Sequence, residues 1–170
     1  MYKLRELERK DIPAINSWRN DKELIKNLGA PFRFINADVD NAWYDSYMSS
    51  RNNTIRCSVV DEKDNILGLV SLTNIDRINQ SAVIHIMVGN AENRGKGIGS
   101  FAMKEMLDHA FDDMNLRRIE LSVLTENTRA LALYTKLGFQ IEGEKREAVY
   151  KDNEYKNMYI MSILKNEYKK

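Results

Sequence analysis

The sequence predicts an α/β (α+β) fold, a mostly antiparallel mixed sheet of about seven strands with about four helices. Three observations carry the prediction. Short strand-like runs recur along the chain, divided by polar turns such as Asp61-Glu62-Lys63-Asp64-Asn65 and Lys151-Asp152-Asn153-Glu154. Two later segments change to the helical spacing of apolar residues. Between an apolar strand and the first of those helices lies Arg94-Gly95-Lys96-Gly97-Ile98-Gly99.

Taken in order, Tyr2 and Leu4 alternate with Lys3 and Arg5 as a short half-buried strand. Asp11 is placed to cap a first helix with Pro13 in its opening turn, running through Ile15 and Trp18. A second short helix is expected over 21–27, ended by Gly29 and Pro31. A third, over roughly 37–50, carries Val39, Ala42, Trp43, Tyr47 and Met48 at near-helical spacing. Phe32, Phe34, Trp43, Tyr44 and Tyr47 can line a pocket, although aromatic side chains more often pack a core.

Strands are expected over 54–60, 66–74 and 80–88, the last an apolar run interrupted only by His85. A long helix beginning near Ser100 sets Met103, Met106, Leu107, Ala110, Phe111 and Met114 on one stripe. Arg118 to Leu124 is a further strand, and Asn127 caps a helix that ends at Gly138. Two strands, roughly 139–150 and 155–164, close the chain. No repeat or linker divides it, so the 170 residues are read as a single domain, 1–170.

Composition narrows the function classes. The net charge is +1, from 26 basic and 25 acidic residues, so no global field for nucleic acid is expected. Cys57 is the only cysteine, which excludes an internal disulfide and suits a reducing, cytoplasmic setting. Its apolar surroundings read as core rather than nucleophile. His85, His109 and one cysteine give no metal-ligand spacing, so no metal is expected. Met1-Tyr2-Lys3-Leu4-Arg5 lacks a signal-peptide apolar region, and no run approaches the ~18 apolar residues of a membrane span.

The glycine-rich stretch is an anion site by construction. Glycines let backbone N–H groups approach a ligand, and the unpaired N–H groups and dipole of the following helix favour negative charge. Arg94 and Lys96 add formal charge at its mouth. A nucleotide-triphosphate loop fits poorly, because five residues separate Gly89 from Gly95 and Gly97 follows Lys96 where Ser or Thr is required. A dinucleotide fingerprint fits poorly, since Ser100 stands where the third glycine belongs.

What remains, Arg94-x-x-Gly97-x-Gly99, resembles the coenzyme A pyrophosphate loop of the GNAT superfamily of N-acetyltransferases. A second stretch, Asn127-x-x-Ala130-x-x-x-Tyr134-x-Lys136-x-Gly138-Phe139, is similar to that superfamily's second half. The two motifs stand in the right order, one helix and one strand apart. The likeness is nearest to the branch holding ribosomal-protein N-terminal, spermidine and amino-sugar N-acetyltransferases. It implies an acetyl-CoA-dependent enzyme acting by direct transfer in a ternary complex. The acceptor amine stays open: a polyamine, an amino sugar or a protein N-terminus.

The resemblance also implies roles. Free backbone groups of Met87 and Val88 would pair with the pantetheine arm where the central strand splays from its neighbour. The N–H groups of Arg94, Gly95, Lys96, Gly97, Ile98, Gly99 and Ser100 would hold the pyrophosphate. Asn127 would hydrogen-bond the pantetheine, and Tyr134 would serve as general acid to the departing thiolate. The base stays open among Glu120, His85 and water, because Val83 stands where relatives often carry an acid. Asp38, Asp40 and Asp45 are the carboxylates a polyamine site would need, yet their spacing on a helix fits a solvated face better. Two rival readings are a catalytically silent acyl-CoA-binding module and a structural domain dimerising through its last strand. A homodimer is compatible with any of them.

Overall fold

The computed structural model describes residues 1–169. Seven strands form one sheet in the order β1-β2-β3-β4-β5-β7-β6. They are β1 (Lys3–Glu6), β2 (Ile55–Val60), β3 (Ile66–Asp76), β4 (Ser81–Val88), β5 (Arg118–Leu124), β6 (Gln140–Lys151) and β7 (Glu154–Leu164). Every neighbouring pair is antiparallel except β4 and β5. The last strand therefore lies inside the sheet between β5 and β6, and cannot offer the dimerising edge that one rival reading needs.

Five helices cover the sheet: α1 (Ile12–Arg19), α2 (Lys22–Lys26), α3 (Ala37–Ser49), α4 (Ile98–Asp108) and α5 (Thr128–Leu137). The predicted cap at α5 is present, and α3 carries another that the sequence reading did not name. Asn36 Oδ1 accepts from the Val39 N–H at the start of α3, and Asn127 Oδ1 accepts from the Ala130 N–H at the start of α5. At the first helix Asp11 is not a side-chain cap; it closes a 3₁₀ turn over Arg9–Asp11 and is otherwise engaged. The long helix begins at Ile98, two residues earlier than its polar start implies, because Gly97 at φ +81° turns the chain directly into it. It ends in a π turn over His109–Asp113.

Two cores result, one on each face of the sheet. Met103, Met106, Leu107, Ala110 and Phe111 are buried against Val59, Val70, Leu72 and Ile84, with the inner side of α5 packed alongside. On the opposite face α1, α2 and α3 bury Ile12, Ile15, Trp18, Leu24, Ile25 and Tyr47 over Leu69. The inward face of α3 is Asp40, Trp43, Tyr44 and Tyr47, whereas Val39 and Met48 are exposed. The apolar residues alone misplace that face by about one position, since its first member is a carboxylate. Asp40 is fully buried, bonded to Arg19 Nη1 (2.6 Å) and Asn16 Nδ2 (2.7 Å), and is no part of a solvated acidic face.

Candidate active site

The sheet is open at its centre. β4 and β5 pair only at Ser81–Arg118, Ala82–Ile119 and Val83–Glu120. Beyond Val83 the two strands diverge, and the exposed inner edges become lining for two adjoining cavities. One, of about 650 Å³, runs beneath α1 and α3 and is bounded by Val83 to Met87 on one side and Leu121 to Leu124 on the other. The second, of about 390 Å³, lies over the glycine loop and the first turn of α4. Ile86, Asn27, Leu28, Asn127 and Tyr134 line both.

Strand register decides which backbone groups face the opening. The Gly89 N–H donates to the Leu67 carbonyl at 2.8 Å, and Leu69 pairs with Met87 in the same register. Hydrogen-bonded pairs alternate along an antiparallel ladder, so Met87 directs its N–H and C=O to β3. Ile86 and Val88 turn theirs towards the gap. Met87 is therefore not a free backbone partner for a ligand in the cleft, as the sequence reading supposed; Ile86 takes that place beside Val88. A period of two makes adjacent residues face opposite ways.

In the loop, Gly95 and Gly97 adopt φ of +84° and +81°, and the added Cβ of a larger residue at 97 would project into open space above the loop. Among the described residues the N–H groups of Gly95 to Ser100 meet no protein acceptor, while that of Arg94 donates to the Ala91 carbonyl at 3.1 Å. Seven expected backbone donors are thus reduced by one, leaving the Arg94 side chain at the cavity wall. Arg129, which no motif marked, adds a second guanidinium there. The Tyr2 hydroxyl donates to the Lys96 carbonyl at 3.1 Å and ties the loop to β1.

Tyr134 lies at the junction of the two cavities. Its ring packs on Phe139 at 5.9 Å, and its hydroxyl has no protein partner among the described residues. Burial pushes the phenol up to about 12, so it stays protonated throughout the neutral range. Asn127 caps α5 through Oδ1 and donates from Nδ2 to the Asn27 carbonyl at 3.0 Å, which fixes the segment after α2 against α5. One Nδ2 hydrogen and one Oδ1 lone pair remain. Lys151 holds the same segment from β6, its ammonium donating to the carbonyls of Ile25 (2.9 Å) and Ala30 (2.6 Å).

The two side-chain candidates for a base separate clearly. Glu120 accepts from Arg118 Nη2 at 2.8 Å and lines neither cavity. His85 lines the larger one, with Nε2 2.9 Å from the Thr73 hydroxyl. Its desolvation, and then the positive charge of Arg56, hold the imidazole below its usual range and neutral near pH 7. Cys57 packs against the core and burial raises its thiol to about 11, so it is no ready nucleophile.

Sequence reading missed the cations of the larger cavity. Arg56, Ser71 and His85 are register partners across β2, β3 and β4 and form a polar row on one face. Arg19 from α1 closes over it, and Trp43 receives both guanidiniums, with Arg19 Cζ 4.4 Å and Arg56 Cζ 4.7 Å from its ring centroid. Of the aromatics considered for a pocket, Trp43 lines this cavity, Tyr47 is buried in the core and Phe34 is exposed. Among the described residues no group of three or more His, Cys, Asp or Glu is placed to hold a metal, and no helix is long and apolar enough to cross a membrane.

A split sheet edge, a glycine loop at a helix N-terminus and a tyrosine between two cavities can together bind an extended phosphate-bearing thioester and an acceptor side by side. Comparison with known proteins agrees. Residues 2–140 match the family model for the acetyltransferase (GNAT) domain. The spermidine N(1)-acetyltransferase of Vibrio cholerae is 31% identical over 166 residues, 97% of this chain and 94% of that protein. The Escherichia coli K12 spermidine N(1)-acetyltransferase is 30% identical over 98% of this chain and 87% of its own length. The crystal structure of the Vibrio cholerae spermidine N-acetyltransferase in complex with CoA and spermine superposes with a TM-score of 0.92 at 30% identity, covering 98% of this chain and 97% of that one. The chain belongs to the GNAT superfamily of N-acetyltransferases.

Proposed function

We propose that the protein transfers an acetyl group from acetyl-CoA directly to a primary amine while both are bound. The observation that carries this reading is Tyr134, whose free hydroxyl stands where the loop cavity meets the larger one. Coenzyme A would lay its pyrophosphate on the N–H groups of Gly95 to Ser100, beside Arg94 and Arg129. Its pantetheine arm would add to the free edge at Ile86 and Val88, as a strand adds to a sheet. One of those N–H groups would polarise the thioester oxygen as the tetrahedral intermediate forms.

The acceptor would enter through the larger cavity. His85 is the side chain there that can take the proton an ammonium must lose before it attacks. The neutral amine then bonds to the carbonyl carbon, the C–S bond breaks, and the departing thiolate takes the Tyr134 proton. The proton that the nitrogen sheds as the amide forms returns to the phenolate oxygen. With the phenol near 12, full proton transfer to a thiolate whose thiol titrates near ~8.5 in water is uphill, but the same burial raises the thiol as well. Tyr134 is therefore best cast as a hydrogen-bond donor that delivers its proton as the sulfur departs. Nothing in this sequence of steps needs an acyl-enzyme.

Thiol release from acetyl-CoA, with Tyr134→Phe beside the parent, tests the assignment. The variant should lose roughly 10²-fold in kcat, within the usual range for an acid catalyst, and keep its affinity for acetyl-CoA. Equal turnover by the two proteins would remove Tyr134 from the mechanism. Polyamines belong on the acceptor panel because two of the relatives are spermidine enzymes. Coenzyme A binding without turnover of any amine would instead support a silent acyl-CoA-binding module.

A further inference from the structure

Three arginines, Arg19, Arg33 and Arg56, line the larger cavity, together with His85, and no aspartate or glutamate does. Arg19 is matched by the buried carboxylate of Asp40 behind it. Among the described residues Arg56 has no carboxylate partner. Its Nη1 reaches only the Ser71 hydroxyl, at 3.4 Å, and its Nε is buried without any acceptor. Arg33 makes no ion pair among the described residues either and remains exposed at the rim. Trp43 and Tyr47 present ring faces to Arg56, at 4.7 and 5.8 Å, which orient the guanidinium but leave its charge unneutralised.

A cation drawn out of water normally has a compensating anion, and none is supplied here by the described residues. We infer that an anion comes with the substrate: the acceptor is a small amine whose own molecule carries a carboxylate or phosphate, held by Arg56 with Arg19 and Arg33 while its nitrogen faces His85 and the thioester. The inference rests on the acetyl-transfer reading of the same cavity. Guanidinium groups suit such a partner because two parallel N–H donors match two oxygens of a carboxylate or phosphate. Arg56 and His85 stand two strands apart on one row, about 10 Å at the backbone, so amine and anion belong to one compact molecule. A fully protonated polyamine brings several positive charges into a space that already holds an unpaired one, and is disfavoured on that ground.

The experiment uses matched acceptors that differ only in the anionic group. One pair is an α-amino acid and its amide; another is an amino sugar with and without a phosphate; spermidine is the cationic reference. In thiol-release assays with the full-length protein, the anionic member of at least one pair should exceed its neutral partner by 10-fold or more in kcat/KM and should also exceed spermidine. Which pair responds tells a carboxylate from a phosphate. Arg56→Met should raise KM for that acceptor at least 10-fold while leaving coenzyme A affinity, measured by calorimetry, unchanged, and Arg56→Lys should recover part of the loss.

Preference for spermidine, equal turnover within both pairs, or an Arg56→Met variant with unaltered KM would each overturn the inference while leaving acetyl transfer intact. No turnover of any amine would overturn acetyl transfer and this inference together. The same circular dichroism spectrum for Arg56→Met and parent shows that a lost acceptor is not a lost fold. If they differ, Arg56→Gln is measured in its place.

Discussion

Arg5 and Arg56 project from the same face of the sheet, each opposite a serine on the next strand: Arg5 pairs in register with Ser58, and Arg56 with Ser71. Their company differs. Arg5 donates from both terminal nitrogens to Asp11 at 2.8 Å and from Nε to Asp64 at 2.8 Å, and Ser58 completes the set with a 2.7 Å bond to Asp11. Arg56 has two aromatic faces, a distant serine and another arginine, but no carboxylate. The first cluster is closed, with each guanidinium nitrogen facing an oxygen. The second is open towards a cavity. Similar residues in equivalent positions thus do different things: one joins β1, β2 and the turn before α1, and the other keeps its charge for a ligand.

The largest effect that would test this contrast is on stability. Asp11→Asn removes the main counter-charge of a mostly buried Arg5 but leaves Asp64 and Glu8 beside it, so the loss should lie at the low end of the about 3–5 kcal/mol that breaking a buried pair costs. Thermal unfolding should shift down by roughly 10 °C for a chain of this size. Burial by itself would raise the Asp11 carboxyl, but bonds from Arg5, the Glu8 N–H and Ser58 bring it below its ordinary value. A lowered folded value means that the stabilisation is present above the unfolded value of about 3.9 and is lost as pH falls through the folded one. The gap between parent and variant should therefore close below about pH 4. A constant gap down to pH 2 would mean that the Asp11 charge is not what holds the cluster.

Arg56→Met is the opposite arm. It removes a partly buried cation whose charge no described carboxylate answers, so the lost contact with Trp43, about 0.5–1 kcal/mol, is offset by relief of desolvation. Unfolding should move by less than about 1 kcal/mol, within the range of an ordinary surface change. A loss as large as that of Asp11→Asn would show Arg56 to be structural, and the contrast between the two clusters would collapse.

The same contrast explains how much could be read without coordinates. Glycine spacing, the cap at Asn127 and the apolar stripe of α4 are local signals, set by positions a few residues apart, and the structure has them. The Arg94–Ser100 loop and Tyr134 also stood in recognisable local motifs. Arg19, Trp43, Arg56 and Ser71 come from four separate elements and meet only through strand register and helix cover. No spacing rule links residues 19, 43, 56 and 71. Asp40 was misread for a related reason: a carboxylate on an inward helix face looks solvated until its arginine is found. Register also decided between Met87 and Ile86, since a shift of one residue in a strand exchanges the two edges of its backbone.

The smallest expected effect is the most direct report on the open cluster. His85 is held below the usual imidazole value first by desolvation and then by the charge of Arg56, two strands away on the same row. Removing that charge by Arg56→Met takes away a repulsion that disfavours the protonated ring, so His85 should titrate at higher pH in the variant than in the parent. The shift is upward but incomplete, because burial, the larger cause, remains. Ring-proton resonances followed by NMR between pH 4 and 8, with the His85 signal identified by its loss in His85→Gln, would measure it. An upward shift places an unscreened charge next to the imidazole that faces the acceptor. No shift means that solvent or a counter-ion already neutralises Arg56, and the cavity would then hold no field to select an anionic acceptor.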